Sequence, residues 1–221
     1  MAKKEKTKDK IIRVSTRMFL EYGYSSSSVK MVCEELGISK GNFTFYFRSK
    51  DDILAVLTDL LCKYQWKLIK EEADGGTSSL LSICLELMTM AAACEESEVA
   101  KDFFVSTYQS PKCLEIIHNN DTARAKEVFA EYCSAWTDEQ FREAEILVAG
   151  IEHATLNAID KTVPLETRIS GALNTIMTIY NVPEEIRRIK IDKVLAMDYR
   201  SIGKRIFNEF KEYVEGMQNS E

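Results

Sequence analysis

The chain has 221 residues, of which 45% are hydrophobic and 29% charged, a composition typical of a folded protein with a sizeable core. It contains only three prolines and nine glycines, and no long alternation of polar and apolar residues indicates a strand. No apolar run reaches the roughly 18 residues that a membrane-spanning helix needs, and no apolar stretch follows the charged amino terminus as in a secretory signal. We therefore expect an all-α protein that resides in the cytoplasm and has no membrane partner.

The net charge of -6 is divided unevenly along the chain. Residues 1–50 contain 11 Lys/Arg and 5 Asp/Glu, a balance of +6, whereas residues 51–221 contain 18 and 30, a balance of -12. A basic head on an acidic body is typical of a protein that contacts phosphates with one end. The alternative is that the amino-terminal lysines form a solvated tail without a partner.

The first predicted helix spans residues 7–22, where apolar residues recur at helical spacing. Gly23 ends it, and a run of serines follows, in which Ser27 or Ser28 is the expected N-cap of the next helix. In that second helix Val29, Val32, Cys33 and Leu36 line one apolar face.

A tight turn then leads to a third short helix. Gly37 supplies the permissive backbone of a helix stop, and Ser39 is the expected N-cap of the helix that follows. In this third helix Phe43 and Phe47 share the face that closes onto the second helix. Two helices joined by a few residues that include glycine form a helix-turn-helix, whose second helix can enter a major groove. The pattern predicts a DNA-binding protein.

The remaining residues are predicted to form a larger helical body. Ser49 begins a helix to about residue 72, and residues 73–79 break the chain. Thr137 and Gln140 fit a capping box at the start of a helix to about residue 161. The other predicted helices span 78–94, 97–108, 111–118, 121–135, 165–181 and 184–216, the last bent near Asp198. We divide the chain into a DNA-binding domain, 1–48, and a ligand-binding and dimerisation domain, 49–221.

The first 54 residues resemble the DNA-binding domain of the TetR family of transcriptional repressors. The similarity rests on an ordered set of motifs: MFLEYGY, SVKMVCEELGISKGNF and YFRSKDDIL. It implies a homodimer that binds a palindromic operator in double-stranded DNA and is released by a small-molecule effector. The sequence departs from the family at Thr44 and Phe45, where relatives usually carry tyrosines that contact phosphates. The alternative is a DNA-bound adaptor that recruits a protein partner and senses no small molecule.

The candidate DNA-binding residues surround the second and third helices. Base edges are assigned to Lys40, Asn42, Thr44 and Phe45, because Lys suits guanine, Asn suits adenine and an apolar ring suits a thymine methyl. Phosphate contacts are assigned to a helix N-terminus and to the far end of the recognition helix. The full set is Ser27, Ser28, Lys30, Ser39, Lys40, Gly41, Asn42, Thr44, Phe45, Tyr46 and Lys50.

Two further sets of residues are predicted in the body. The candidate ligand-binding residues are aromatic, methionine and histidine side chains of the middle helices, namely Trp66, Met88, Phe104, Tyr108, His118, Phe129, Tyr132 and His153. Ordinary core is the alternative for these. The candidate dimerisation residues form stripes at helical spacing and are Phe141, Val148, Ile151, Thr155, Ile169, Leu173, Ile176 and Tyr180. The alternative for each stripe is core within one subunit.

No cofactor, metal or catalytic residue is predicted. Six cysteines are scattered singly, and His118 and His153 lack the spacing of metal ligands. No nucleophile paired with a base and no phosphate-binding loop is visible, so we do not expect an enzyme.

Overall fold

The computed structural model describes residues 6–73, 79–159 and 162–216, which contain eleven α-helices and no strand. The prediction of an all-α fold is confirmed. In chain order the helices are α1 (Thr7–Tyr22), α2 (Val29–Leu36), α3 (Lys40–Tyr46), α4 (Lys50–Glu72), α5 (Ser79–Glu96), α6 (Glu98–Gln109), α7 (Pro111–Val128), α8 (Asp138–Leu156), α9 (Leu165–Ile179), α10 (Glu184–Leu195) and α11 (Tyr199–Gly216).

Helices α1 to α3 form a small head that packs on the rest of the chain. Three helices of this length bury too little apolar surface to be stable alone. Accordingly α1 contacts α4, α6 and α11 as well as α2. The buried side chains of α1 include Ile11, Val14, Met18 and Phe19, the inner stripe that its helical spacing predicts.

Helix α5 lies at the centre of the body. It packs against α4, α6, α8, α9, α10 and α11, and most of its side chains are buried, as its sequence SLLSICLELMTMAAAC requires. A helix that is apolar on all sides is stable only when other helices surround it. Among the helices that the structure describes, none has both the length and the hydropathy of a membrane span.

Helix α11 connects the body to the head. At Gly203 a Cβ atom would lie 2.8 Å from the carbonyl oxygen of Thr89, so only glycine permits this close approach to α5. Further along, Phe210 is fully buried, and the ammonium of Lys211 lies 3.1 Å from the carboxylate of Glu21 on α1.

The structure corrects three predicted helix boundaries. Residues 111–128 form one helix rather than two, because Cys113, Ile117 and Ala125 continue a single buried stripe past the predicted break. Helix α8 ends at Leu156, five residues before the predicted end. The predicted segment 184–216 is two helices rather than one bent helix, and the break at 196–198 lies where the bend near Asp198 was expected. The predicted break at 73–79 falls mostly on residues 74–78, outside the described residues.

Most of the candidate dimerisation residues lie inside the subunit. Ile169, Leu173, Ile176 and Tyr180 are buried within the chain, and Phe141 and Val148 are nearly so. Ile151 and Thr155 are half-buried. The stripes were correctly identified as apolar, but the helical period alone does not distinguish a core from an interface. The opposite faces of α8 and α9 are the exposed ones.

Candidate functional site

Helix α2 has a defined start and a defined stop. The Ser28 hydroxyl accepts a hydrogen bond from the N–H of Met31 at 3.3 Å, which makes Ser28 the N-cap. At the other end Gly37 adopts a left-handed conformation, with φ 63°. Its N–H donates to Glu34 O at 3.3 Å, and the N–H of Ile38 donates to Cys33 O at 3.0 Å. This pair of bonds is a Schellman motif, which turns the chain sharply into α3.

Helix α3 presents one side to the core and the other to solvent. The Ser39 hydroxyl accepts a hydrogen bond from the N–H of Asn42 at 3.1 Å and so caps it. Phe43 and Phe47 are buried, with their ring centroids 6.3 Å apart. The exposed residues of the helix are Lys40, Gly41, Asn42, Thr44, Phe45 and Tyr46. Two buried rings therefore fix the helix while its outer face stays accessible.

The outer face of α3 combines polar groups with an aromatic pair. Phe45 is 82% exposed, and its ring meets that of Tyr46 edge to face at a centroid distance of 5.0 Å. The Thr44 hydroxyl donates to Gly41 O at 3.1 Å. An α-helix with its side chains is about 10–12 Å in diameter, which fits a major groove about 12 Å wide. Burying an exposed Phe ring against a thymine methyl would also remove apolar surface from water.

Two of the candidate DNA-binding residues are turned inward. The Ser27 side chain is buried, and its hydroxyl donates to Gly23 O at 2.7 Å. The Lys50 ammonium donates to Tyr24 O at 2.9 Å and to Ser27 O at 3.1 Å, and it lies 4.0 Å from the Tyr24 ring centroid. Lys50 holds the α1–α2 link against α4, and Ser27 closes a turn within that link. Their assignment to phosphate contacts is corrected accordingly, since their polar groups are already bonded within the head.

Positive charge surrounds the outer face of α3. Lys30 on α2 and Lys40 on α3 are exposed, and Lys30 lies 3.7 Å from Glu34, a weak pair at this exposure. Arg48, in the junction between α3 and α4, is exposed too. Arg48 was not among the predicted site residues, although its position between the buried Phe47 and the N-cap Ser49 is a sequence signal for an outward side chain.

Helix α6 joins the head to the body. The carboxylate of Asp102 accepts hydrogen bonds from the N–H of Ser25 at 2.8 Å and from the Ser25 hydroxyl. The ammonium of Lys112 at the start of α7 pairs with Asp52 at the start of α4. Asp52 also accepts a hydrogen bond from the N–H of Ser49 at 2.9 Å. A side chain of α6 thus connects the body to the link between α1 and α2, and a side chain of α7 connects to the start of α4, directly after the head.

Two narrow, adjoining cavities lie inside the body, and they share Glu86, Asp121, Arg124 and Glu152. Three candidate ligand-binding residues line them: Phe104 and Tyr108 the first, Phe129 the second. Trp66 and His153 contact lining residues, since the Trp66 ring lies 4.7 Å from the Arg124 guanidinium and the His153 ring stacks on Tyr108. Met88, His118 and Tyr132 are not among the lining residues, and Met88 is fully buried in the core.

The charged residues that line these cavities are not among the predicted ligand-binding residues. Arg124 donates to both carboxylate oxygens of Glu86, at 2.8 and 3.0 Å, and to Asp121. Glu145 accepts a hydrogen bond from Tyr180, and Glu152 accepts one from Tyr108 at 2.9 Å. Glu145 and Glu152 lie seven residues apart on the inner stripe of α8, and acids on an apolar stripe are the signal that identifies them.

Burial changes the acidity of this cluster. Desolvation, followed by the negative charge of Asp121, raises the pKa of Glu145 to about 7. The same two causes raise the pKa of Glu152 well above its usual range, and desolvation raises that of Glu86. The part of the chain that the structure describes contains no group of three or more His, Cys, Asp or Glu arranged to hold a metal ion.

Comparison with known proteins identifies the head. Residues 11–57 match the family model described as bacterial regulatory proteins, tetR family. The HTH-type transcriptional regulator HbdR of Aromatoleum sp. (strain CIB) is 30% identical over 111 residues, which cover 50% of this chain and 47% of HbdR. The uncharacterized HTH-type transcriptional regulator YerO of Bacillus subtilis (strain 168) is 38% identical over 47 residues, 21% of this chain and 16% of YerO. The matched region thus spans less than half of either relative.

The fold extends the similarity to the body. The structure of full-length TylP, a TetR regulator from Streptomyces fradiae, superposes with a TM-score of 0.51 and 15% sequence identity. The superposition covers 91% of this chain and 95% of TylP. At this identity the likeness concerns the fold alone.

Proposed function

We propose, from the premise that this chain belongs to the TetR family through residues 11–57, that it is a dimeric repressor released from a palindromic operator by a small-molecule effector. Members of this family are transcription regulators and not enzymes. A bacterial regulator acts where the DNA is, so the proposal includes a cytoplasmic location. It also keeps the division into a DNA-binding domain, 1–48, and a ligand-binding and dimerisation domain, 49–221.

The outer face of α3 is the observation that carries the proposal. Its exposed Lys40, Asn42 and Thr44 offer the side-chain types that read base edges, while buried Phe43 and Phe47 keep the helix in place. Ser28, Lys30, Ser39, Tyr46 and Arg48 are assigned to the flanking phosphates. Ser27 and Lys50 act indirectly, by fixing the link that precedes α2.

Dimerisation is assigned to the exposed faces of α8 and α9. On α8, Ile146 and Leu147 are more than half exposed, an unusual position for large aliphatic side chains. Around Gly150 of α8 and Gly171 of α9 there is open space, so another helix can approach closely. A two-fold axis through this surface would hold two heads at the spacing of successive major grooves, about 34 Å.

Effector release is assigned to α4 and α6, which run from the head to the cavities. Lys50 at the start of α4 holds the α1–α2 link, and Gln65 further along lines the first cavity. On α6, Asp102 binds Ser25, and Tyr108 lines the same cavity. A ligand that shifts either helix changes the position of the head, which is a population shift between two dimer geometries.

A DNA-bound adaptor is the second candidate, because Ile146 and Leu147 would also suit a protein partner. The polar lining of the two cavities supports a regulator that binds a small-molecule effector instead. The test is selection of bound sequences from random duplexes with the full chain. A palindromic consensus is the expected result. No enrichment would contradict sequence-specific binding, and an enriched consensus without symmetry would contradict the dimer.

A further inference from the structure

The two cavities described above are lined by more carboxyl groups than cationic groups. Four carboxylates line them, those of Glu86, Asp121, Glu145 and Glu152, against the single guanidinium of Arg124. The carboxylates that bind Arg124 are those of Glu86, through two hydrogen bonds, and of Asp121, through another. Ionised carboxylates without a cation are costly in such a buried place.

Glu145 and Glu152 are the carboxylates that Arg124 does not bind. Each has a tyrosine hydroxyl as its hydrogen-bond donor, from Tyr180 and Tyr108 respectively. Across the described ranges, no lysine or arginine forms an ion pair with either of them. Glu145 is only 5% exposed, so water screens its charge weakly.

Gln65 provides an independent observation. Its side chain is 4% exposed and lines the first cavity together with Glu86 and Glu152. Within residues 6–73, 79–159 and 162–216 its amide forms no hydrogen bond, and the amide is open to the cavity rather than enclosed in the core. An amide oxygen and a carboxylate at one cavity wall are together suited to an ammonium group, which donates three hydrogen bonds.

We propose that these cavities bind a slender organic cation, an amine or diamine on an apolar chain, with ammonium groups at Glu152 and Glu145. This proposal rests on the proposed function, because the organic cation would be the effector of that regulator. The two carboxylates are two helical turns apart on α8, about 10 Å along the axis, which suits an extended diamine. Phe104 and Phe129 supply the apolar walls. A bare metal ion is a poor fit, because no described cluster has metal-ligand geometry.

The test uses three probes of equal length and different charge: diaminohexane, hexanediol and adipate. Each is titrated calorimetrically into the purified full chain. The diamine is expected to bind, and the diol and the dianion are not. Binding of the diamine should release protons to the buffer below about pH 7, because an ammonium favours the ionised form of Glu145. Equal binding of diamine and diol, or no binding of the diamine, would overturn the proposal.

The variant Glu152→Gln removes one charge and retains a group that can bond to Tyr108. It is expected to weaken diamine binding by about tenfold or more. Glu143→Gln, on the exposed face of the same helix, is the matched control and should bind as the wild type does. Glu145→Gln provides a second variant if Glu152→Gln fails to fold. Equal affinity in the wild type and in both cavity variants would refute the assignment.

Release of the operator tests the cation site separately from the proposed function of the chain. The complex with the selected duplex is mixed with each probe, and the released DNA is measured. If the diamine releases the DNA and the diol and adipate do not, both the cation site and the proposed function are supported. Calorimetric binding of the diamine without release would support the site and contradict its regulatory role. Tight operator binding with no diamine binding would reject the cation site and leave the regulator intact.

Discussion

Asp102 and Ser25 join the body to the head: the carboxylate of Asp102 accepts two hydrogen bonds from Ser25. Gly23, two residues earlier, has φ 93°, and a Cβ atom there would lie 2.8 Å from Asp102 Oδ2. The link between α1 and α2 therefore tolerates no side chain at residue 23 while Asp102 keeps its place.

Gly23→Ala is expected to destabilise the chain by about 1–3 kcal/mol, through the unfavourable φ and the clash with Asp102. The double variant Gly23→Ala/Asp102→Ala should be more stable than the sum of the single effects predicts, because the clash is gone. Gly37→Ala is the control, since its φ is also positive but its surroundings are open. Denaturant unfolding gives the stability of Gly23→Ala, Asp102→Ala, the double variant and Gly37→Ala. Strict additivity would show that Gly23 and Asp102 do not interact.

Lys40→Ala and Asn42→Ala should each weaken binding to the selected operator by about 1–3 kcal/mol and reduce discrimination against random duplexes. Both side chains are exposed, so the free energy of unfolding should not change. Lys204→Ala, an exposed lysine on α11, is the control for loss of charge. Fluorescence anisotropy with both duplexes gives the comparison. Unchanged discrimination in both variants would remove the assignment of these residues to base edges.

Phe43 and Phe45 are two residues apart on α3, one fully buried and the other 82% exposed, and we expect opposite effects from their replacement. Phe43→Ala empties a fully buried site and should cost about 3–5 kcal/mol of stability. Phe45→Ala removes an exposed ring and should leave stability within about 0.5 kcal/mol while weakening operator binding. Thermal unfolding and anisotropy, run on the same preparations, separate the two effects. Normal operator affinity in Phe45→Ala would mean that its ring does not touch DNA.

Stability should decrease as the pH rises from about 5 to about 7. Burial raises the pKa of Glu145 to about 7 from an ordinary value of 4.5, so the folded chain retains a proton that the unfolded chain releases in this range. Each such group contributes a slope of up to about 1.4 kcal/mol per pH unit. The groups around it are Glu86, Asp121, Arg124, Glu152 and Tyr180.

Glu145→Gln should reduce this slope, because the amide does not titrate while Glu86 and Glu152 still do. Glu143→Gln on the exposed face should leave the slope unchanged. Denaturant unfolding at pH 5, 6 and 7 measures the slope in each protein. A wild-type slope that persists unchanged in Glu145→Gln would assign the titration to another group.

Leu147→Glu should convert a dimer into a monomer that is still folded, because Leu147 is exposed in the subunit and two buried glutamates would repel across a two-fold axis. Ile189→Glu on α10 is the control, with similar exposure outside the proposed surface. Light scattering at micromolar concentration reports the mass. A dimeric Leu147→Glu would place the interface elsewhere.

Local signals in the sequence predicted most of the helix starts. Ser28, Ser39 and Thr137 cap their helices through bonds to residues three positions along the chain, so the pattern and the contact lie in the same short segment. The break predicted between residues 118 and 121 does not occur, because the buried stripe of α7 continues beyond it and tertiary packing overrides weak local preference.

The interior of the body could not be predicted in the same way. Tyr180 lies on an apolar stripe, as a dimer residue would, yet its ring stacks on Phe129 at a centroid distance of 3.9 Å and its hydroxyl reaches Glu145. Gln65, Glu86 and Arg124 belong to three helices, and only the packing of those helices brings them together. Their positions depend on tertiary contacts between residues far apart in sequence.

Helix α11 is synthesised after every other described helix, and it packs on both α5 and α1. A nascent chain that lacks this helix leaves Thr89 uncovered and Glu21 without the ammonium of Lys211. The outer face of α3 is encoded in the first quarter of the sequence. The contacts by which α11 supports the head form only after α11 has been translated.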